Sequence, residues 1–205
     1  AGTQAPKINT DGSISSVGVI QQGLTGATEK MWNPGEVITV FLATNNGSQY
    51  IRDKVKQYAK VWEQYANIKF DFITDMKSAK IKVGFFNTGK SWPWLGRDVL
   101  SNTFGEYTMN FGWFTVNTSE TEFSRTITHE FGHAIGFVHE QKSPISPLQF
   151  DLPKLYKYFK DSNNWSPAQV DEQIVKKYSQ NKIPLHITFK FSIYSVVLSE
   201  TKSKF

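Results

Sequence analysis

The segment THEFGHAIGFVHE, residues 128 to 140, constrains this chain more than any other stretch. Histidines four positions apart stack on one face of an α-helix, because a helix turns about 100° per residue and four steps nearly close a turn. Phe123, Ile127, Phe131 and Ala134 or Ile135 repeat on the opposite side, so one face packs while the face carrying His129 and His133 is left to bind. Ser119, followed three residues later by Glu122, predicts a capping box at the helix start. Gly136 can take the positive φ that stops a helix sharply, and a chain that doubles back there brings His139 to the two earlier imidazoles.

That arrangement has a definite chemistry. Three neutral imidazoles leave the charge of a divalent ion uncompensated and one position open to water, the ligand composition of a catalytic zinc and not of a closed structural one. Glu130, one step round the helix from His129, falls beside the ion instead of on it, where a carboxylate can take a proton from an attacking water. The expected centre is therefore one Zn2+ held by His129, His133 and His139, with Glu130 as general base. A bare His-Glu-x-x-His is short enough to arise as ordinary helix surface. Gly136 and His139 at the required spacing, in a chain with only four histidines, argue against that reading. The fourth, His186, lies outside the motif and is read as an ordinary histidine.

The rest of the chain reads as one catalytic unit. Residues 1 to 30 are rich in Gly, Ser, Thr and Gln and are expected to form a loosely held arm or leader remnant, with the catalytic domain over 31 to 205. Asn33-Pro34-Gly35 is a turn signal ahead of a β-branched strand at 36 to 43. Apolar residues at helical spacing from Ser48 to Asn67 predict a helix packed on a sheet. Period-two alternation at 68 to 73 and 79 to 86 predicts two half-buried strands. Residues 89 to 98, GKSWPWLGRD, read as a loop whose Trp92 and Trp94 either rim a cleft or pack, and 107 to 115 as a further strand. Short helices are expected around 153 to 160 and 167 to 178, the second opened by Ser166-Pro167.

Composition narrows the partners. The 23 Lys and Arg against 18 Asp and Glu give a net charge of +5, but the lysines are scattered without a dense run or a nucleic-acid motif, so no nucleic-acid partner is expected. No stretch approaches the roughly 20 apolar residues of a membrane span. With no cysteine in the sequence, a disulfide framework and thiolate metal ligands are both excluded. Arg125, one turn before His129, either orients a substrate carboxylate or pairs with a nearby acid.

The motif at 129 to 139 resembles that of the metzincin metalloproteases, and Glu140 directly after His139 resembles the astacin-like branch, particularly its bacterial members. MWNPGEVITVFL, TMNFGWFT, EFSRTITHEFGHAIGFVHE and NNWSPAQVDEQIVKKYS extend the likeness over most of residues 31 to 180. The resemblance implies an α+β, two-lobed catalytic domain. Its upper lobe, to about 136, has a twisted mixed sheet and two long helices; its lower lobe, about 137 to 205, is irregular. It implies a monomeric, secreted endopeptidase acting on protein or peptide substrates. It further implies that TMNFGWFT is the edge strand along which substrate pairs, making Met109, Asn110, Phe111, Gly112 and Trp113 candidate substrate-binding residues. Gly136, Glu140 and Val197 are implied as structural support around the metal.

Two departures from the family pattern stand out. The family carries a methionine in a tight turn beneath the zinc and a tyrosine two residues on. Here FSIYSVVLS (191 to 199) resembles that turn with Val197 at the methionine position and Ser199 at the tyrosine position. Together with the early end of the chain, they suggest a truncated or imperfectly determined C-terminal sequence over an inactive relative. A zinc-containing, non-catalytic binding protein is the competing reading.

Overall fold

The computed structural model describes residues 7–8, 14–15, 22–101, 106–144, 149–177 and 185–189. Strands β1 (Lys7–Ile8) and β2 (Ile14–Ser15) form a small antiparallel pair, and β3 (Gln22–Gly26) pairs antiparallel with β9 (Leu185–Phe189). The central sheet holds β4 (Glu36–Leu42), β5 (Ile68–Ile73), β6 (Ile81–Gly84), β7 (Ser91–Pro93) and β8 (Met109–Phe111), in the spatial order β5-β4-β6-β8-β7. Neighbours are parallel except β7, which runs antiparallel to β8. Helices α1 (Gln49–Ala59), α2 (Glu120–Ala134), α3 (Leu152–Asn163) and the short α4 (Pro167–Val170) complete an α+β architecture.

The alternation seen in the sequence has its physical outcome in β4. Ile38, Val40 and Leu42 are buried while the residues between them are not, so one face of the strand forms the core. Helix α1 starts where Ser48 accepts a hydrogen bond from the Ile51 amide and buries Ile51, Val55 and Ala59 against the same core. The expected long helix over 48 to 67 breaks instead into a 3-10 turn at Lys60–Gln64. The break turns Trp62 toward α2, where its Nε1 donates to the Thr128 carbonyl at 2.9 Å. Gly132 makes room for it, since a Cβ there would stand 2.9 Å from the Trp62 ring. A tertiary contact has overridden the local periodicity.

Helix α2 carries the metal motif and is anchored on its far side. Phe123, Ile127 and Phe131 are fully buried and Ala134 nearly so, each large side chain contributing about 1.5–3 kcal/mol of apolar transfer. Ser119 caps the helix by accepting from the Glu122 amide. The reciprocal half of the expected capping box is replaced: the Glu122 carboxylate pairs with Arg125, whose Nη2 lies 2.7 Å from it. A two-sided capping box forms instead at Ser166 and Gln169, at the start of α4. The helix expected over 167 to 178 continues past α4 only as a π turn, Asp171–Val175.

The end of the expected arm is part of the fold. Gly26 and Ala27 are buried, Gly26 bridges Phe137, and the Ala27 amide donates to the Gly136 carbonyl at 3.0 Å. Among the described residues no helix is long and apolar enough to cross a membrane.

Candidate metal centre

Helix α2 ends in a motif that fixes where His139 goes. Gly136 has φ of 105°, its amide donates to the His133 carbonyl at 2.9 Å, and the Phe137 amide donates to the Gly132 carbonyl at 3.0 Å. These two bonds are the paired closure of a helix by a left-handed residue, and they reverse the chain within one turn. The carbonyl of Phe137 then accepts from His133 Nδ1 at 2.7 Å. A carbonyl can only accept, so the proton sits on Nδ1 and the Nε2 lone pair of His133 is free to ligate.

The three Nε2 atoms converge. His129 Nε2 is 3.1 Å from His133 Nε2 and 3.3 Å from His139 Nε2, and the three residues offer ligand atoms all within 4.8 Å of one another. Ligands on a tetrahedral zinc at bonds of roughly 2.0–2.1 Å stand about 3.3 Å apart, so the donor set fits zinc in both chemistry and spacing. Burial and mutual repulsion keep the imidazoles neutral, as ligation requires. His129 is pushed down to about 3, by burial first and then by His133, His139 and Arg125. His139 falls to about 4, by burial and then His133 and Lys142. His133 is lowered by burial against the opposing lift of its bond to Phe137.

These shifts set a pH dependence for the chelator-treated protein. Imidazoles depressed from 6.5 contribute stability that is complete above that value and is lost as pH falls from there toward 4 and 3. Glu36 and Glu63 are depressed from 4.5 and so contribute losses only lower. Thermal melts of metal-free protein should therefore show a falling Tm between pH 6.5 and 4.5; a flat profile there would mean the imidazoles are solvated.

Glu130 is 8% exposed, and with His129 it lines a cavity of about 190 Å³ whose other walls are Ser91, Trp113, Arg125 and Thr126. Arg125 pairs with Glu122, one of the two roles open to it in the sequence, and also lines this cavity.

The expected substrate strand is corrected. Residues 109 to 111 are not at the sheet edge: β6 pairs with one side of β8 and β7 with the other. Met109 and Phe111 are each 1% exposed, and Asn110, fully buried, spends its side chain on the Phe86, Thr88 and Lys90 backbone and hydroxyl groups. Gly112 is tied by backbone bonds to Gly89 and Lys90. Of the five candidates, Trp113 alone lines the cavity. The edge is Ser91–Pro93, which lies within the segment 89 to 98 that reads from sequence as a loop. Proline lacks the donor that an interior strand needs and is tolerated at an edge, and that was the available signal. Trp92 on this edge is 38% exposed. Ser91 and Thr126 reach this cavity only through the fold, since nothing local in the sequence places them beside Glu130.

Glu140 begins a 3-10 turn, Glu140–Lys142. The side chains of Glu140 and His186, together with Val197 and Ser199, lie outside the described residues.

No family model matches the chain. Protein SpAN of Strongylocentrotus purpuratus is 31% identical over 87 residues, 40% of this chain, and the chain spans 12% of the length of that curated relative. Among solved structures, one of myroilysin aligns with a TM-score of 0.74 at 40% identity, covering 82% of this chain and 81% of that one. A second myroilysin structure gives 0.56 at 38%, covering 87% and 80%. High choriolytic enzyme 1, a hatching enzyme zinc-protease from Oryzias latipes, shares the fold with a TM-score of 0.50 at 16% identity, over 75% of this chain and 66% of its own. A likeness of 40% identity spread over four-fifths of both chains, on a fold that brings three imidazoles to zinc spacing, means that the chain belongs to the astacin-like zinc metalloproteases.

Proposed function

We propose that the protein is a zinc-dependent endopeptidase that hydrolyses peptide bonds in protein substrates, with His129, His133 and His139 as metal ligands and Glu130 as general base. The observation that carries this reading is the convergence of the three Nε2 atoms beside a cavity that His129 and Glu130 share. When bound, zinc supplies a Lewis acid for the peptide carbonyl and lowers the pKa of water toward about 7. The protein's own residues supply the rest. Glu130 takes the proton of the attacking water and delivers it to the leaving amine. The bond from His133 Nδ1 to Phe137 holds that ring in the ligating tautomer, and the Gly136 turn holds His139 opposite α2.

An extended substrate would add to the outer side of β7, whose opposite side is taken by β8 and which packs beside α2. Such addition provides main-chain hydrogen bonds that align a peptide without regard to its sequence. The reading extends to a secreted enzyme working as a monomer, with residues up to about 136 above the cleft and the remainder below it.

The test is cleavage of unfolded casein with and without a strong chelator. Turnover that stops on chelation and returns with stoichiometric zinc is the expected result. Stoichiometric zinc with no turnover on any unfolded protein would instead favour a zinc-binding protein that lacks catalysis, the reading to which Val197 and Ser199 lend weight.

A further inference from the structure

Three backbone segments meet at Gly96 with no room for a side chain. Gly96 is buried and opens a 3-10 turn, Gly96–Leu100, separated from the end of edge strand β7 by Trp94 and Leu95 alone. Its φ is 49°. A Cβ added there would overlap the Lys30 carbonyl oxygen and would stand 2.9 Å from the Lys30 carbonyl carbon and 3.1 Å from Gly136 Cα. All three are backbone atoms, so no change of rotamer relieves the crowding; one chain segment has to move against another. Close approach of backbone to backbone is what glycine permits.

The two sides of this junction are not equally held. On one side, the Ala27 amide donates to the Gly136 carbonyl at 3.0 Å, the Lys30 amide to the Ala27 carbonyl at 2.8 Å, and Trp32 Nε1 to the Ala134 carbonyl at 2.8 Å. Met31 fills the space beside Gly26 and Gly136, at each of which a Cβ would crowd its side chain. The other side is tied more lightly. β7 has a neighbouring strand on one side only, and past its end the Trp94 amide donates to the Thr108 carbonyl at 2.8 Å. The turn is then held to Lys30 by Asp98, whose Oδ1 lies 2.7 Å from Lys30 Nζ, with side chains 33% and 40% exposed. An ion pair so open to water contributes about 0–1 kcal/mol. A side chain forced into the junction therefore moves β7 and the turn after it, and leaves the metal turn in place.

We infer that Gly96 is a positioning residue: by letting the backbone after β7 close onto Lys30 and the Gly136 turn, it sets the distance between the strand that aligns substrate and the three imidazoles. The inference rests on the endopeptidase reading and on substrate addition to β7. Gly96 touches no reacting group and acts through β7. A misplacement of about 1 Å can cost on the order of 10² in rate, so a spacing fixed by backbone contact has a direct kinetic consequence.

The experiment compares Gly96→Ala with wild type on a short blocked dipeptide and on longer peptides that extend the same cleavable bond along β7. The readouts are kcat/KM at each length, zinc affinity by competition titration, and binding of the long peptides by fluorescence anisotropy, with and without Gly96→Ala, in the Glu130→Gln background. Wild type should prefer the long peptides. Gly96→Ala should lower kcat/KM on them about tenfold to a hundredfold and weaken their binding, change the short one less than about threefold, and bind zinc as wild type does. A general loss of folded protein would cut both lengths alike. Gly89→Ala is the control for strain: it lies at the other end of β7, its φ is 70°, and nothing lies within 4 Å of the added Cβ. That variant should keep the preference for long peptides. Should Gly96→Ala fail to fold, Asp98→Asn should lower the long-to-short ratio about twofold, and Lys30→Asp with Asp98→Lys should restore it; an unchanged ratio in Asp98→Asn then overturns the inference. Equal losses at both lengths, a fall in zinc affinity, an equal effect of Gly89→Ala, or a wild type indifferent to length also overturns it. Long-peptide binding that Gly96→Ala weakens, without any cleavage by wild type, keeps the positioning role and removes the endopeptidase reading. Absence of both binding and cleavage removes the two together.

Discussion

Glu130→Gln should retain stoichiometric zinc and lose casein cleavage by a factor on the order of 10³–10⁴, the upper part of the range for general acid–base catalysis. Glutamine has nearly the shape of glutamate and can still accept and donate hydrogen bonds, so the cavity it shares with His129, Ser91 and Thr126 keeps its volume. What it cannot do is take a proton from water and hold it until the amine departs. The residue is 8% exposed and is not among the three convergent ligands, so the substitution acts on proton transfer and leaves metal capture alone. The loss should therefore appear in kcat with KM nearly constant, the signature of an interaction made in the transition state. Metal analysis alongside steady-state kinetics checks it. If the variant cleaves within tenfold of wild type, Glu130 is not the base and another group must carry the proton.

The parts of this site that depend on local geometry were legible in the sequence, because a helix converts spacing into direction. His129 and His133, the buried stripe of Phe123, Ile127 and Phe131, the Ser119 cap and the Gly136 stop all lie within twenty residues of one another and appear as expected. What the sequence hid depends on which distant segment comes to lie alongside. Ser91 pairs with Phe111 across β7 and β8, and that register cannot be read from either segment alone. Strand 109 to 111, which the family resemblance implies as the edge, has a neighbour on either side, and its burial between them explains its apolar run. The support behind the turn is non-local in the same way. Trp32 Nε1 donates to the Ala134 carbonyl at 2.8 Å, and Ala27 holds the Gly136 carbonyl, so residues expected in a loose arm or at its border brace the end of α2.

That brace makes Gly136→Ala the second large effect, on zinc affinity. At φ of 105° an alanine is strained wherever it stands, a cost of about 1–3 kcal/mol for a sparsely populated backbone region. Here the added Cβ would also lie 2.9 Å from Met31 Cγ, 3.1 Å from Met31 Cα and 3.2 Å from Met31 N. The side-chain atom can move; the two backbone atoms belong to the segment that Ala27 and Trp32 hold in place, so the turn has to give instead. Its displacement carries Phe137, whose carbonyl orients the His133 ring, and shifts His139 away from the two nitrogens on α2. Zinc affinity should fall at least about tenfold, since losing a ligand's orientation typically costs 10–100-fold, and the Tm of the metal-free protein should fall with it. Gly35→Ala separates the two causes: its φ is 82° and nothing lies within 4 Å of the added Cβ. That variant should lose stability from backbone strain while binding zinc as wild type does. Competition titration against a chromogenic chelator measures both, and a Gly136→Ala protein with wild-type zinc affinity would mean that His139 is positioned by something other than the turn.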